Sequence, residues 1–180
     1  MISLKTPLSQ EDIQNLKVGT TVLITGTIFS ARDRAHKFLL ENNFEEIKNG
    51  VIYHCGPIIK NNEVVSAGPT TSARMSIYTP SLIEKYGVKV IIGKGGMDDS
   101  VREALKGKAV YLSAVGGAGV LYANKMKVKS VHREEFGMPE AIWEFEVKDF
   151  PAIVTMDSHG NSIYDEVYQK SRDVFLKLIE

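Results

Sequence analysis

The 180-residue chain carries 22 basic and 22 acidic residues, so it lacks the global positive field of a nucleic-acid-binding domain. Hydrophobic residues make up 43% and charged residues 24%, which supplies a core and argues against disorder. Cys55 is the single cysteine; this chain alone can build neither an internal disulfide nor a Cys-ligated cluster, and a cytoplasmic location is expected.

In chain order, "LSQEDIQNL" predicts a short helix with Ser9 as N-cap and Asp12 three residues on. The opening "MISLKTPLSQEDIQNLKVGT" has no apolar centre of the kind a signal peptide needs. "TTVLITGTIFS" is β-branched and reads as a strand. Ser30 is then expected to cap a helix over "ARDRAHKFLLENN", whose Ala31, Ala35, Phe38 and Leu39 share one face. "VIYHCGPII" and "EVVSAG" read as two strands around the polar turn "KNN". "TPSLIEKYG" predicts a helix with Thr79 as N-cap, Pro80 in its first position and Gly87 past its end. "VKVIIG" is a buried-type strand, "KGGM" a glycine loop and "DDSVREALKG" a helix with acids at its start and Lys106 at its end. "KAVYLSAV" is a further strand, and the small-residue stretch "GGAGVLYANKM" has no clear state. The basic cluster of Lys125, Lys127, Lys129, His132 and Arg133 reads as a solvated strand edge, with a local basic patch as the alternative. "IWEFEVKDFPAIVTMD" predicts two strands divided at Pro151, "SHGN" a turn, and the remainder a closing amphipathic helix. Strands and helices interleave, which implies an α/β or α+β class with a mixed sheet, all within one domain over residues 1–180. No apolar run approaches the roughly 20 residues of a membrane helix.

Polar, glycine-bearing stretches fall at the strand-to-helix junctions, where open α/β sheets bind ligands. "GPTTSARM" offers two readings. Thr70 and Thr71 suit the cap of a short helix. Thr70 and Arg74, four apart, also share a helical face, and a guanidinium fork beside a hydroxyl suits a carboxylate or phosphate. In "ARDRAH", Arg32 and Arg34 flank Asp33 at a helix N-terminus, an unfavourable place for cations that hints at function. His36 is a candidate acid or base, or simply structural. Lys94 in "IIGKGGM" can meet an anion as a point charge, although the spacing is not that of a phosphate-binding loop. "VGGAG" lacks the spacing of a dinucleotide site, and Cys55 reads as a buried strand residue. The residues alone therefore predict Arg32, Thr70, Arg74 and Lys94 converging on a small anion, with no metal site in this chain.

"ITGTIFSARDRAH", "YHCGP", "GPTTSARM", "IIGKGGM" and "FPAIVTMDSHGNSIYDEV", in this order, resemble the β subunit of class I (iron–sulfur) fumarate hydratase; the L-tartrate dehydratase β subunit shares the pattern. The resemblance runs from about Thr20 to the final helix. It implies a swivelling β/β/α domain, the C-terminal domain of single-chain fumarases. It also implies an α-subunit partner that carries a [4Fe-4S] cluster, a hetero-oligomer, and a dicarboxylate substrate such as malate or fumarate. Carried over residue by residue, it implies that Thr70 is the base and Arg74 its catalytic partner. Arg32, Arg74 and Lys94 are implied to hold substrate carboxylates, with Asp33, His36 and Gly68 in support. A tartrate dehydratase and a stand-alone small-anion-binding module remain alternatives.

Overall fold

Seven strands form one mixed sheet, in which the unbroken apolar runs Val51–Tyr53 and Val90–Gly93 are buried on both faces. The computed structural model describes residues 1–179. The elements are β1 (Ile2–Lys5), α1 (Gln10–Asn15), β2 (Thr21–Ser30), α2 (Asp33–Glu41), β3 (Val51–Tyr53), β4 (Ile58–Lys60) and β5 (Glu63–Ser66). They continue as α3 (Thr79–Tyr86), β6 (Val90–Gly93), α4 (Asp99–Leu105), β7 (Val110–Ser113), α5 (Gly119–Ala123), β8 (Met126–His132), β9 (Ile142–Met156) and α6 (Ile163–Ile179). The sheet order is β1-β2-β3-β6-β7-β9-β8, and β2 also pairs with β9. Strands β2, β3, β6, β7 and β9 therefore close into a ring. The first four of these are mutually parallel, while β9 runs against both β2 and β7.

The period-2 alternation of the strands explains two cores. Val51 and Tyr53, Val90 and Ile92, and Val110 and Leu112 join Ile24, Phe145 and Phe150 in the core enclosed by the ring. The intervening Ile52, Ile91 and Tyr111 face outward and are covered by Ala35 and Leu39 of α2, Leu82 and Ile83 of α3, and Val101 and Leu105 of α4. Strands buried on both faces read as unbroken apolar runs, as "VKVIIG" does.

Several local expectations hold. Ser9 and Asp12 form a reciprocal capping box, and Gly87 closes α3 in the left-handed conformation at φ 64°. Asn61 and Asn62, both at positive φ, make the β4–β5 turn. The lysine-rich β8 is an edge strand, paired only with β9.

Others are corrected. Ser30 is not the cap of α2; it ends β2, and its hydroxyl bonds across to β9, accepting from the Trp143 N–H at 3.1 Å. The N-cap position is Arg32, which makes no side-chain cap. Thr79 starts α3 rather than capping it, and its hydroxyl donates back to the Met75 carbonyl at 2.8 Å. "VIYHCGPII" is two strands rather than one, since the chain leaves the sheet at His54. Residues 142–156 are one fifteen-residue strand, not two. Pro151 is tolerated because it sits beside a bulge: Lys148 and Asp149 together face Thr25, with Asp149 at φ 52°.

Candidate active site

The loops that follow β2, β3, β6 and β7 gather at one end of the ring, the carboxyl end of its parallel strands. The chain leaving β2 supplies Arg32 and Asp33, the chain after β6 supplies Lys94, and the segment after β5 supplies Thr70 and Arg74.

The Thr70 segment is threaded between the ends of β3 and β6. The Thr70 N–H donates to the His54 carbonyl at 2.7 Å, the Lys94 N–H to the Thr70 carbonyl at 3.2 Å, and the Ser72 N–H to the Lys94 carbonyl at 3.0 Å. This places Thr71 beside Lys94 as a short parallel bridge, which fixes the Thr70 and Lys94 loops to each other. A single 3-10 turn, Ser72–Met75, then brings Arg74 back over Thr70. Arg74 Nη2 lies 3.4 Å from Thr70 Oγ1, and Thr71 holds the N-cap position of that turn without a side-chain cap bond. The capping reading of "GPTTSARM" is set aside by this geometry. Gly68 lies against the backbone of Gly119, at 3.6 Å from the point a Cβ would occupy, so the segment passes close to α5.

Asp33 holds the Arg74 fork by two hydrogen bonds, Nε to Oδ1 at 3.3 Å and Nη2 to Oδ2 at 3.0 Å. The hydrogen bond from Arg74 is the main reason the Asp33 carboxyl is held below the usual carboxylate range. Both side chains stay about half exposed, so the pair orients more than it stabilises. Arg32 Nε lies 3.3 Å from Glu140 Oε1, near enough to pair but too misaligned for a hydrogen bond. Its stem and Nη1 lie over Gly56, where a Cβ would come within 2.9 Å of them. Arg34 points elsewhere, its guanidinium 4.6 Å above the Phe136 ring. Lys94 is exposed at the mouth, its stem 3.6 Å from the Cβ position of Gly116.

His36 is not an exposed acid or base. It is buried, its Nδ1–H donates to the Arg32 carbonyl at 2.8 Å, and burial pushes the imidazole down to about 4. It is a neutral prop under the Arg32 turn. Cys55 is buried in apolar surroundings that push its thiol up to about 12, which disfavours the thiolate a metal needs. Among the described residues no three His, Cys, Asp or Glu side chains gather as a metal site. The residues present here do not fit an iron–sulfur cluster.

Residues 1–167 match the model of the family described as "Fumarase C-terminus". The chain belongs to that family. A Geobacillus stearothermophilus protein with the provisional name class I fumarate hydratase is 45% identical to this fumarase C-terminal chain over 179 residues, covering 95% of the chain and 35% of the relative. The chain thus spans about a third of that protein. The L(+)-tartrate dehydratase subunit β of Escherichia coli K12 is 38% identical over 98% of the chain and 94% of its own length. A Methanocaldococcus jannaschii protein, provisionally named as the same subunit, is 44% identical over 96% and 95%. Expectations of the fold class and of the family therefore hold.

The geometry adds residues to this fumarase C-terminal site that spacing did not supply. Glu140 reaches Arg32 from the turn just before β9, more than a hundred positions away, and nothing local signals it. His54, Ser72 and Tyr111 lie buried beneath the loops. Two of these sit inside the quoted motifs "YHCGP" and "GPTTSARM"; a polar residue at an otherwise apolar strand end was the available signal for His54, while Ser72 is one hydroxyl among several in a polar loop.

Proposed function

We propose that this chain is the β subunit of an iron–sulfur hydro-lyase that interconverts malate and fumarate. It is read as one domain throughout, working in the cytoplasm in a hetero-oligomer with an α subunit that bears the [4Fe-4S] cluster. The observation that carries this reading is the Thr70–Arg74 contact, on a turn pinned to the Lys94 loop.

Dehydration of malate removes a proton from the carbon next to a carboxylate and expels hydroxide. Thr70 serves as the base in this reading. A hydroxyl is hardly ionised near neutral pH, so a threonine base needs its ionised form stabilised. Arg74 stands where its Nη2 can donate to that oxygen, and Asp33 keeps the fork from swinging away. Arg32 and Lys94, on separate loops, are suited to the two carboxylates and to the extra charge that builds up on one of them in the transition state. Lewis acidity toward the departing hydroxyl is what a cluster on the partner would supply.

Dehydration of L-tartrate is the second reading. It is favoured by the relatives matched over nearly their whole length, whose names are those of tartrate dehydratase β subunits. The two-chain complex, prepared anaerobically and assayed with malate, fumarate and L-tartrate, separates the readings. Turnover of malate supports the first and turnover of tartrate alone the second. Tight malate binding by this chain without a partner, with no turnover by the complex, points to an anion-binding module. Thr70→Ala is expected to lower turnover by about 100-fold or more, the scale of a lost acid–base group, without lowering the melting point. Near-normal turnover in that variant sinks the assignment of Thr70 as base.

A further inference from the structure

Three polar side chains that the proposed reaction does not use lie directly beneath the site. His54, Ser72 and Tyr111 are each 0% exposed and come from the end of β3, the 3-10 turn and β7. Ser72 Oγ lies 2.8 Å from His54 Nδ1 and 2.9 Å from the Tyr111 hydroxyl, and that hydroxyl lies 2.8 Å from the Gly95 carbonyl. A carbonyl only accepts, which fixes one order of donors that makes all three bonds: His54 Nδ1–H to Ser72, Ser72 to Tyr111, Tyr111 to Gly95. The opposite order leaves the Gly95 contact unmade. It also puts the imidazole proton on Nε2, a buried atom with no partner. Burial, helped by the neighbouring His36 and Arg74, holds the imidazole neutral well below its ordinary range.

Each end of this chain of bonds meets a loop of the site. Ser72 is two residues past Thr70 and two before Arg74, Gly95 follows Lys94, and the His54 carbonyl takes the Thr70 N–H. An apolar trio would fill the same space without the desolvation cost of three buried polar groups. We propose that His54, Ser72 and Tyr111 are positioning residues: a buried clasp that sets the spacing between the Thr70–Arg74 turn and the Lys94 loop. The catalytic part of this inference rests on the function proposed above.

Tyr111→Phe tests it, since it removes one oxygen and keeps the ring. Ser72→Ala and the double variant accompany it in the two-chain enzyme. The expected result is a fall in kcat of at least about tenfold with a smaller rise in KM, because the base lies inside the clasp while only one of the two proposed carboxylate ligands, Lys94, sits on a clasped loop and Arg32 lies outside it. The double variant should be no slower than the slower single, since a chain of bonds is broken once. Wild-type kcat in Tyr111→Phe, or effects that simply multiply, overturns the proposal. Amide hydrogen exchange on the full-length chain reads the clasp without turnover. In Tyr111→Phe the Ser72 and Lys94 amides should exchange at least about tenfold faster while amides in β2 and β9 do not change. Unchanged exchange at both overturns the clasp. A wild-type complex with no activity toward malate or tartrate overturns the proposed function instead, and the exchange result then decides the clasp alone.

Discussion

Gly93 ends β6 directly beneath the clasp, and replacing it with alanine is the sharpest perturbation the structure offers. A methyl there would fall 1.9 Å from Ser72 Oγ and 3.2 to 3.3 Å from two atoms of His54. Real Cβ atoms essentially never approach within 3.0 Å, so the Ser72 hydroxyl must retreat by at least about 1.1 Å, the difference of the two distances. The backbone at Gly93 is not in the left-handed region, so alanine adds crowding without torsional strain. His54 bars retreat on one side and Tyr111 on the other, and the 3-10 turn carrying Arg74 has to move with Ser72. Overpacking of this kind costs about 1–3 kcal/mol. At this chain length that is a melting point lowered by roughly 2–12 °C. A displacement near 1 Å between Thr70 and Lys94 should cost on the order of 100-fold in turnover. Gly93→Ala is to be measured in the two-chain enzyme by initial rate and by a thermal melt. Wild-type turnover with an unchanged melting point would show that the space beneath the turn is not what holds the site.

Asp33→Asn should lower the melting point by no more than about 4 °C, because an exposed pair contributes at most about 1 kcal/mol, yet lower kcat by about tenfold through a wandering Arg74; a full-rate variant removes Asp33 from the site. Stability should also fall on the acid side. His36 takes up a proton below about pH 6.5 when unfolded, but only near pH 4 when folded. The unfolded chain therefore binds more protons between those values, and stability is lost as pH falls through that window, by up to roughly 3 kcal/mol from His36 alone. A melting point flat from pH 7 to 4.5 contradicts this.

Much of this architecture can be read along the chain because local rules and global fold agree there. The Ser9 capping box, the Gly87 helix stop and the Asn61–Asn62 turn are each fixed within a few residues, and all three form as their residue types dictate. The candidate site residues could be found for a similar reason: Thr70 and Arg74 are one turn apart, and glycines mark the loops. What could not be read depends on the sheet closing. The passage of β9 through Pro151 is legible only once Thr25 is seen opposite a two-residue bulge. The Arg32–Glu140 pair and the bond from Ser72 to Tyr111 join residues that only the ring brings together. Ser30 misled because a serine before a helix suits a cap, while burial gave its hydroxyl a better partner across the sheet.

The ring also decides how this molecule can be joined by others. Closure leaves the main sheet with only two open borders. One is the four-residue β1, too short to template much pairing, and the other is β8, guarded by Lys127 and Lys129. Growth by adding a foreign strand is thus disfavoured at both borders. The helices, the separate β4–β5 hairpin and the loop-bearing end of the ring remain open to a large companion, so the surface on which chemistry is proposed is also one on which a companion chain can settle.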